Sequence, residues 1–168
     1  MSRVGRAKGQ GLDYEIVTMS AHDLLEVVEI EETSGLSRWG WDSYHAELGR
    51  PEAIMLVARR LVPDAEGKKL HGFFASRLGA DELHINNIGV RERERKKGIG
   101  GELLRRGLEL GARRGALAAL LEVRAGNDVA QLLYASQGFE VVGRRRNYYH
   151  DPAEDALVMT KQLRRAGT

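Results

Sequence analysis

A glycine-rich basic loop between an apolar strand and a long helix is the feature that most restricts how this chain can fold. Three cations and three glycines occur together in the run Arg95-Lys96-Lys97-Gly98-Ile99-Gly100-Gly101. Glycine lets the backbone approach a ligand without a Cβ clash, and a helix N-terminus offers unpaired N–H groups and the positive end of its dipole. The run therefore predicts a β–loop–α unit that binds an anion.

Hydrophobic periodicity predicts the elements around this loop. Runs of apolar or alternating residues indicate strands at 14–17, 54–58, 69–78, 82–90, 118–123, 139–148 and 156–163. Apolar residues at helical spacing, with capping and stop residues, indicate helices at 20–33, 42–48, 98–114 and 127–136. The predicted order is β-α-α-β-β-β-α-β-α-β-β. Since antiparallel strands come first and βα units follow, we expect an α/β fold of the α+β kind, with a mixed sheet and helices on both faces.

Length and composition fit one domain. The 168 residues are 42% hydrophobic and 30% charged, which is ordinary for a globular protein. We expect a disordered tail over residues 1–12 and a single domain over 13–164. No apolar run approaches the roughly 20 residues of a membrane helix, and the basic N-terminus lacks the apolar stretch of a secretory signal. A cytoplasmic location is therefore predicted, with no membrane partner.

The residue inventory excludes several chemistries. The chain has no cysteine, so it cannot form a disulfide, a thiolate zinc site or an acyl-cysteine. The five histidines show no metal-ligand spacing, which predicts no metal. The net charge of +2 is small and the basic residues alternate with acidic ones, so direct nucleic-acid binding is not expected.

Three readings of the loop can be compared on the residues alone. It is not a Walker loop, because no Lys-Ser or Lys-Thr follows the last glycine. It is a poor dinucleotide motif because Leu103 stands where a third small residue belongs, although Glu122 lies where a ribose-binding acid could be. A helix start without any ligand is the third reading.

From Leu83 onward the chain resembles the GNAT superfamily of acetyl-CoA-dependent N-acetyltransferases. Arg95-x-x-Gly98-x-Gly100 is similar to that family's pyrophosphate loop, and Ile85-Asn86-Asn87-Ile88-Gly89-Val90 resembles its splayed strand. Asn127, Tyr134 and Gly138-Phe139 resemble the next motif. Within the family, Leu121-Glu122-Val123-Arg124-Ala125-Gly126-Asn127 and Arg145-Arg146-Asn147-Tyr148-Tyr149 are most similar to the RimI-like ribosomal-protein alanine N-acetyltransferases, and Glu154-Asp155-Ala156-Leu157-Val158-Met159 extends the similarity.

The resemblance implies a splayed central sheet that binds acetyl-CoA as co-substrate. The diphosphate would contact the whole loop, Arg95, Lys96, Lys97, Gly98, Ile99, Gly100 and Gly101, although Gly101 replaces the arginine or lysine common at that point of the family. The pantetheine arm would contact the backbone of Ile88, Gly89 and Val90, much as an added strand would. Asn127 and Tyr134 would also contact the cofactor, and Asn127 can in addition cap its own helix.

Acetyl transfer to an amine needs a base for the amine, donors for the oxyanion and an acid for the departing thiolate. Glu122 is the candidate base, because it is a carboxylate inside the apolar run 120–123, at the end of a strand where α/β ligand sites lie. Burial is expected to raise its pKa towards neutrality. A structural ion pair with Arg124 is the alternative role. Backbone N–H groups near Val90 are candidate oxyanion donors.

Tyr134 is the candidate acid, since a phenol and a thiolate have similar basicity and the resemblance places a tyrosine at the cofactor sulfur. A purely structural core aromatic is the alternative. For the acceptor, the resemblance points to Glu32, Trp41, Tyr148 and Tyr149, with Trp39 and Glu31 in the same segment as the first two. A capped surface helix and edge-strand packing would explain the same residues without a substrate.

The function expected from the resemblance is transfer of acetyl to a protein N-terminal α-amino group, of the ribosomal-protein alanine type, by direct attack in a ternary complex. The absence of cysteine agrees with direct attack, because no thiol is present to carry the acetyl group. The alternatives are acetylation of a small amine such as a polyamine or an antibiotic, and a non-catalytic CoA-binding module. A dinucleotide oxidoreductase is more remote.

Overall fold

An eight-stranded mixed sheet runs through the computed structural model, which describes residues 3–9 and 12–164. Its strands are β1 (Arg3–Gly9), β2 (Leu12–Thr18), β3 (Ala53–Arg60), β4 (Leu70–Gly79), β5 (Glu82–Val90), β6 (Ala118–Arg124), β7 (Glu140–His150) and β8 (Ala153–Gln162). Four α-helices accompany them in the described residues, namely α1 (Leu24–Glu32), α2 (Gly40–Leu48), α3 (Ile99–Arg113) and α4 (Asp128–Ser136). The spatial order is β1-β2-β3-β4-β5-β6-β8-β7. Only β5 and β6 pair in parallel within this sheet.

Strand β1 is where the structure departs from the expected disordered tail over residues 1–12. Its backbone pairs antiparallel with β2, from Gly9 opposite Leu12 to Arg3 opposite Val17. The physical reason is that β2 would otherwise end the sheet with a free row of N–H and C=O groups, which another strand can satisfy. Leu12 itself belongs to β2, and residues 1, 2, 10 and 11 lie outside the described residues. Every predicted strand and helix is present, with its ends shifted by at most four residues.

Helices cover both faces of the sheet, as the order of elements predicted. Neighbouring Phe73 and Phe74 on β4 show the division, because successive strand residues point to opposite faces. Phe73 packs with Leu24, Val27 and Ile30 from α1, together with Tyr44 from α2. Phe74 packs in a second core with residues of α3 and α4, including Leu103, Leu104, Leu108 and Tyr134. None of the helices in the described residues is long and apolar enough to cross a membrane.

Helix α3 lies unusually close to the sheet. A Cβ atom at Gly107 would come within 2.3 Å of Phe74 Cζ, and one at Gly111 within 2.8 Å of Leu83 Cδ2. Because neither position has room for a side chain, the helix can press directly onto β4 and β5. This contact fixes the N-terminus of α3, and the basic loop before it, relative to the end of β5.

Candidate active site

A cleft opens where β5 and β6 separate. Their parallel pairing spans only Glu82–Ile85 against Ala118–Leu121, so the following residues of both strands diverge. On its other edge β5 pairs Ala75 with Asn87 and Ser76 with Ile85, which leaves Asn86 as an extra residue in a β-bulge. Bulges re-aim side chains and occur next to active sites. The cleft has a volume of about 700 Å³ and extends from the basic loop to the end of β6.

The basic loop forms one end of this cleft. Helix α3 starts after Gly98, whose φ of +82° is in the left-handed region, and its first backbone N–H groups have no helical partner. Lys96 also has a positive φ, of +62°, and lines the cleft. Arg95 lines it too, while its guanidinium donates to the carbonyls of Val90 at 3.0 Å and Thr33 at 2.8 Å. The geometry is that of an anion cradle whose rim is held by Arg95.

Lys97 has a different role from Lys96. Its Nζ donates to Glu94 at 3.0 Å, and Glu94 also accepts a hydrogen bond from Arg60. Lys97 does not line the cleft. The loop therefore presents Lys96 to the cleft and uses Lys97 to hold the short 3₁₀ turn over Glu92–Glu94.

Glu122 lies on the floor of the cleft. Its Oε2 is 2.7 Å from His84 Nε2, and its Oε1 is 3.6 Å from Arg145 Nε. The hydrogen bond with His84 is the main reason that the pKa of Glu122 lies below its ordinary value, with the charge of Arg145 adding to it and burial opposing it. The expectation that burial would raise this pKa is wrong, because the carboxylate gained two cationic or proton-donating neighbours from other strands. Glu122 is therefore ionised at neutral pH.

Tyr134 lies on the other side of the sheet plane from Glu122. It is buried on α4 within the α3-side core, and its ring packs edge-on against Phe139 with 5.9 Å between centroids. Burial, with a smaller contribution from Tyr149, raises the pKa of the Tyr134 phenol. The phenol lines the cleft and keeps its proton throughout the working pH range. It can therefore serve as a proton donor, but not as a base.

Asn127 caps helix α4 and faces the same cleft. Its Oδ1 accepts a hydrogen bond from the Ala130 N–H at 3.1 Å, so the capping role predicted from sequence is confirmed. The residue that follows the last turn of α4 contacts the loop directly, since Gln137 Nε2 donates to the Gly101 carbonyl at 3.2 Å. The C-terminal end of α4 is thereby joined to the start of α3.

Two aromatic residues of β7 form the far wall. Tyr148 and Tyr149 meet edge-on with 5.0 Å between ring centroids. The guanidinium of Arg124 lies 4.2 Å from the Tyr149 ring centroid, and that of Arg145 lies 5.8 Å from Tyr148. Burial raises the pKa of Tyr149 to about 12, so this phenol is neutral at physiological pH. Both phenols lie close enough to Glu122 for its charge to help raise their pKa values.

The segment between α1 and α2 closes the cleft opposite this pair. Glu31 is fully buried and accepts hydrogen bonds from the Trp39 N–H at 2.7 Å and the Tyr44 hydroxyl at 2.8 Å. Asn87 of β5 in turn donates to the Tyr44 hydroxyl at 2.9 Å. This network ties the segment to β5 and places Trp39 in the cleft wall.

Comparison with known proteins shows which family has this fold and cleft. The family model described as "Acetyltransferase (GNAT) family" matches residues 24–139. The chain belongs to this acetyltransferase family. It is 38% identical over 146 residues to the [ribosomal protein bS18]-alanine N-acetyltransferase of Escherichia coli K12, covering 86% of this chain and 94% of that protein. It is 36% identical over 158 residues to the N-alpha-acetyltransferase RimI of Mycobacterium tuberculosis, covering 89% and 94%.

A solved structure agrees with the family assignment. The crystal structure of the ribosomal-protein-S18-alanine N-acetyltransferase from Escherichia coli matches with a TM-score of 0.79 and 28% identity, over 92% of this chain and 96% of that one. The predicted mixed α/β GNAT fold is therefore confirmed, and the chain is an N-acetyltransferase.

Most of the predicted site residues of this N-acetyltransferase come together in the cleft. Its lining includes Ile88, Gly89, Val90, Arg95, Lys96, Gly98, Ile99, Gly100, Gly101, Glu122, Asn127, Tyr134, Tyr148 and Tyr149. Glu32, Trp41 and Lys97 do not line it. Glu32 is exposed at the end of α1, and Trp41 stacks on His45 outside the cleft with 4.7 Å between centroids. Glu31, the neighbour of Glu32, is buried instead, because helical geometry turns adjacent side chains about 100° apart, and Trp39 rather than Trp41 lines the cleft.

Lining residues outside the predicted set include His84, Asn86 and Trp39. His84 contacts Glu122 across 38 positions of sequence, so no local pattern could reveal it. Trp39 stood in the correct segment, two residues from the predicted Trp41. Among residues 3–9 and 12–164, no group of three or more His, Asp or Glu side chains is arranged to hold a metal ion.

Replacing Lys96 with alanine is expected to raise the KM for acetyl-CoA about fivefold with little change in kcat. Lys96 faces the end of the cleft suited to phosphate, and one lost charge–phosphate contact weakens binding by about that factor. Lys97→Ala is the matched control, because Lys97 contacts Glu94 and does not line the cleft. Steady-state kinetics at two salt concentrations measure the KM for acetyl-CoA of both variants. An equal increase in the two would contradict the assignment of Lys96, and not Lys97, to the phosphate end of the cleft.

Proposed function

We propose that this enzyme transfers the acetyl group of acetyl-CoA to the N-terminal α-amino group of a ribosomal protein of the bS18 type. The observation that carries the proposal is the single cleft that joins the start of α3 to Glu122 and Tyr134. The relatives that share 36–38% identity over 86–89% of the chain are named for α-amino or bS18-alanine acetylation. A cytoplasmic location remains a prediction.

The residues present fit acetyl-CoA. The start of α3, with the N–H groups of 98–101 and the Lys96 ammonium, would hold the diphosphate. In the part of the chain that the structure describes, the edge of β5 beyond Ile85 has no strand partner on the cleft side, so the backbone of Ile88 and Val90 would hydrogen-bond the amide-bearing pantetheine arm. Acetyl-CoA supplies an acetyl thioester, whose carbonyl carbon is open to attack by an amine.

The side chains of the cleft divide the proton transfers between them. Glu122 accepts the proton that the amine loses as its nitrogen bonds to the acetyl carbon. Tyr134 gives its proton to the sulfur as the carbon–sulfur bond breaks, and regains a proton from solvent before the next turnover. Backbone N–H groups near Val90 would stabilise the negative charge on the acetyl oxygen. The products are the acetylated amine and free CoA thiol, with direct transfer in a ternary complex.

The lowered pKa of Glu122 favours an α-amine over a lysine as the acceptor. An α-amino group has a pKa of about 7.7–8.0 and a lysine of about 10.4, so a weak carboxylate base has a much smaller gap to overcome with the former. Arg124 and Arg145 near the cleft also make its rim unfavourable for a polycation such as a polyamine.

A peptide assay tests the proposal. A peptide with the N-terminal residues of a bS18 protein, beginning with alanine, should gain one acetyl group by mass spectrometry and release CoA thiol. A thiol reagent measures the release without background, because the enzyme has no cysteine. The same peptide blocked at its N-terminus but carrying a free lysine is the control. Acetylation of the blocked peptide, or of spermidine in preference to the alanine peptide, would overturn the proposal.

Thermal unfolding separates cofactor binding from acceptor choice. Acetyl-CoA at about 100 times its dissociation constant is expected to add about 2.7 kcal/mol to the free energy of unfolding. NAD at the same concentration should add none. Stabilisation by acetyl-CoA without turnover of any amine would indicate a CoA-binding module, and stabilisation by NAD alone would contradict the acetyl-CoA site.

A further inference from the structure

His84 and Glu122 form a side-chain pair across the point where the sheet divides. Leu83 and Ile85 of β5, and Leu121 and Val123 of β6, all face the core beneath α3. His84 and Glu122 therefore project from the opposite face, where the cleft opens. Their strands are still held in register here, since Ile85 pairs with Leu121. The contact between His84 Nε2 and Glu122 Oε2, 2.7 Å long, thus rests on a fixed backbone frame.

The pair leaves one carboxylate oxygen of Glu122 available. His84 holds Oε2, whereas Oε1 is 3.6 Å from Arg145 Nε, beyond hydrogen-bond distance. The Glu122 side chain is 9% exposed, and that of His84 is 42% exposed. The histidine thereby connects a largely buried carboxylate with solvent.

We propose that His84 is a positioning residue for Glu122. Its Nε2–H holds one carboxylate oxygen so that the other is directed to the amine, and protonation of its ring places a positive charge beside Glu122 that slows acetyl transfer in acid. The proposal rests on the role of Glu122 in the proposed function. It adds a pH-dependent control of the base Glu122 by a histidine that belongs neither to the glycine loop nor to the cofactor motifs.

Other charged or titratable groups around the pair do not supply the same switch. Arginines keep their charge at all working pH values, tyrosines titrate far above neutrality, and Glu154 is held by Arg124 at 3.3 Å and by the Gly126 N–H at 2.6 Å. Histidine is the side chain whose charge ordinarily changes between pH 5 and 8. The groups facing the pair in the described residues are Arg145, Tyr148 and Tyr149 of β7, Arg124 of β6, Glu154 of β8 and, in register with His84, Arg77 of β4.

The pH dependence of kcat for His84→Gln and His84→Ala tests the proposal. Glutamine can donate the same hydrogen bond but does not titrate, whereas alanine removes both properties. At about pH 8.5 we expect His84→Gln to retain most of the wild-type kcat and His84→Ala to lose about tenfold, with the KM for acetyl-CoA unchanged. Between about pH 8.5 and pH 5.5, the ratio of His84→Gln kcat to wild-type kcat should rise about threefold or more, because only the wild type becomes positively charged beside its base. Exposed His22 provides the control variant, His22→Gln, whose profile should follow the wild type.

A spectroscopic measurement tests the contact without any substrate. In ¹⁵N-histidine-labelled enzyme at about pH 8, the His84 ring should be in the Nε2–H tautomer, and Glu122→Ala, which removes the acceptor, should shift the His84 Nε2 resonance while leaving that of exposed His22 unchanged. Parallel pH profiles of wild type and His84→Gln, wild-type kcat in His84→Ala, or an unchanged His84 Nε2 resonance in Glu122→Ala would each overturn the proposal. Failure of the wild type to acetylate the alanine peptide would instead count against the proposed function, since the tautomer measurement does not depend on turnover.

Discussion

Replacing Glu122 with glutamine is expected to lower kcat about a hundredfold and to leave the affinity for acetyl-CoA nearly unchanged. A positioned general base contributes about 10²–10⁴ to a rate, and glutamine keeps the shape of the side chain while losing its basicity. The cofactor cradle at the start of α3 lies at the other end of the cleft, so its contacts remain. Measurement of kcat with the alanine peptide, and of acetyl-CoA affinity by calorimetry, separates the two quantities.

The pH dependence of the loss of kcat in Glu122→Gln follows from the ionisation of Glu122 and of the acceptor α-amine. The pKa of Glu122 is lowered, so the carboxylate stays ionised well below neutral pH. The α-amine is mostly protonated below about pH 7.7, and there it depends most on a base. The ratio of wild-type to Glu122→Gln kcat should therefore be largest near neutral pH and should shrink above about pH 8. Exposed Glu140 offers a matched control, Glu140→Gln, and full activity of Glu122→Gln would remove Glu122 from the mechanism.

The sequence was sufficient for most of the fold because the informative patterns are local. The apolar run before the loop, the glycine stop at Gly115 and the cap at Asn127 each depend on neighbours within a few residues. Strand β1 could not be predicted in this way. Its run Arg3–Gly9 is polar and rich in basic residues, and its pairing depends on the free edge of β2 rather than on its own hydrophobicity.

The cofactor side of the cleft was predictable for the same reason, whereas the acceptor side was not. The loop and β5 are continuous in sequence, so their contributions to the cleft are contiguous. The wall of the cleft on the acceptor side combines the α1–α2 segment, β5 and β7, which are far apart in sequence. Which of their side chains enter the cleft depends on tertiary contacts. Buried Glu31 illustrates this, since its hydrogen bonds to the Trp39 backbone and to Tyr44 turn Trp39, and not Trp41, into the cleft.

The pKa of Glu122 shows most clearly what could not be predicted from the sequence alone. An apolar strand around a carboxylate predicts burial and a raised pKa. The structure adds His84 from β5 and Arg145 from β7, and these reverse the direction of the shift. Both partners are distant in sequence and neither belongs to a motif, so the sign of the shift is a property of the tertiary structure. Catalysis by a weak base is consistent with an acceptor that is already partly deprotonated at physiological pH.

Replacing Tyr134 with phenylalanine is expected to lower kcat about a hundredfold, because the departing sulfur then receives no proton from this phenol. The raised pKa of Tyr134 keeps the phenol protonated while Glu122 is ionised, so each group is in the protonation state that its role requires. Phenylalanine retains the edge-on packing against Phe139 and removes only the hydroxyl. Without that proton, the sulfur must leave as a thiolate, which costs the contribution of a general acid.

Tyr14 provides the matched control for this variant. It is also a buried tyrosine with a raised pKa, but it lies on β2 against His71 and does not line the cleft. Tyr14→Phe should keep kcat within about twofold of the wild type, a difference of less than about 0.5 kcal/mol in activation free energy. If Tyr134→Phe also stays within that range, protonation of the thiolate comes from elsewhere. If both variants lose activity equally, the loss reflects the removal of a buried hydroxyl from the core. A loss confined to Tyr134→Phe, with unfolding temperatures alike, would place the acid on α4, on the side of the sheet opposite the base.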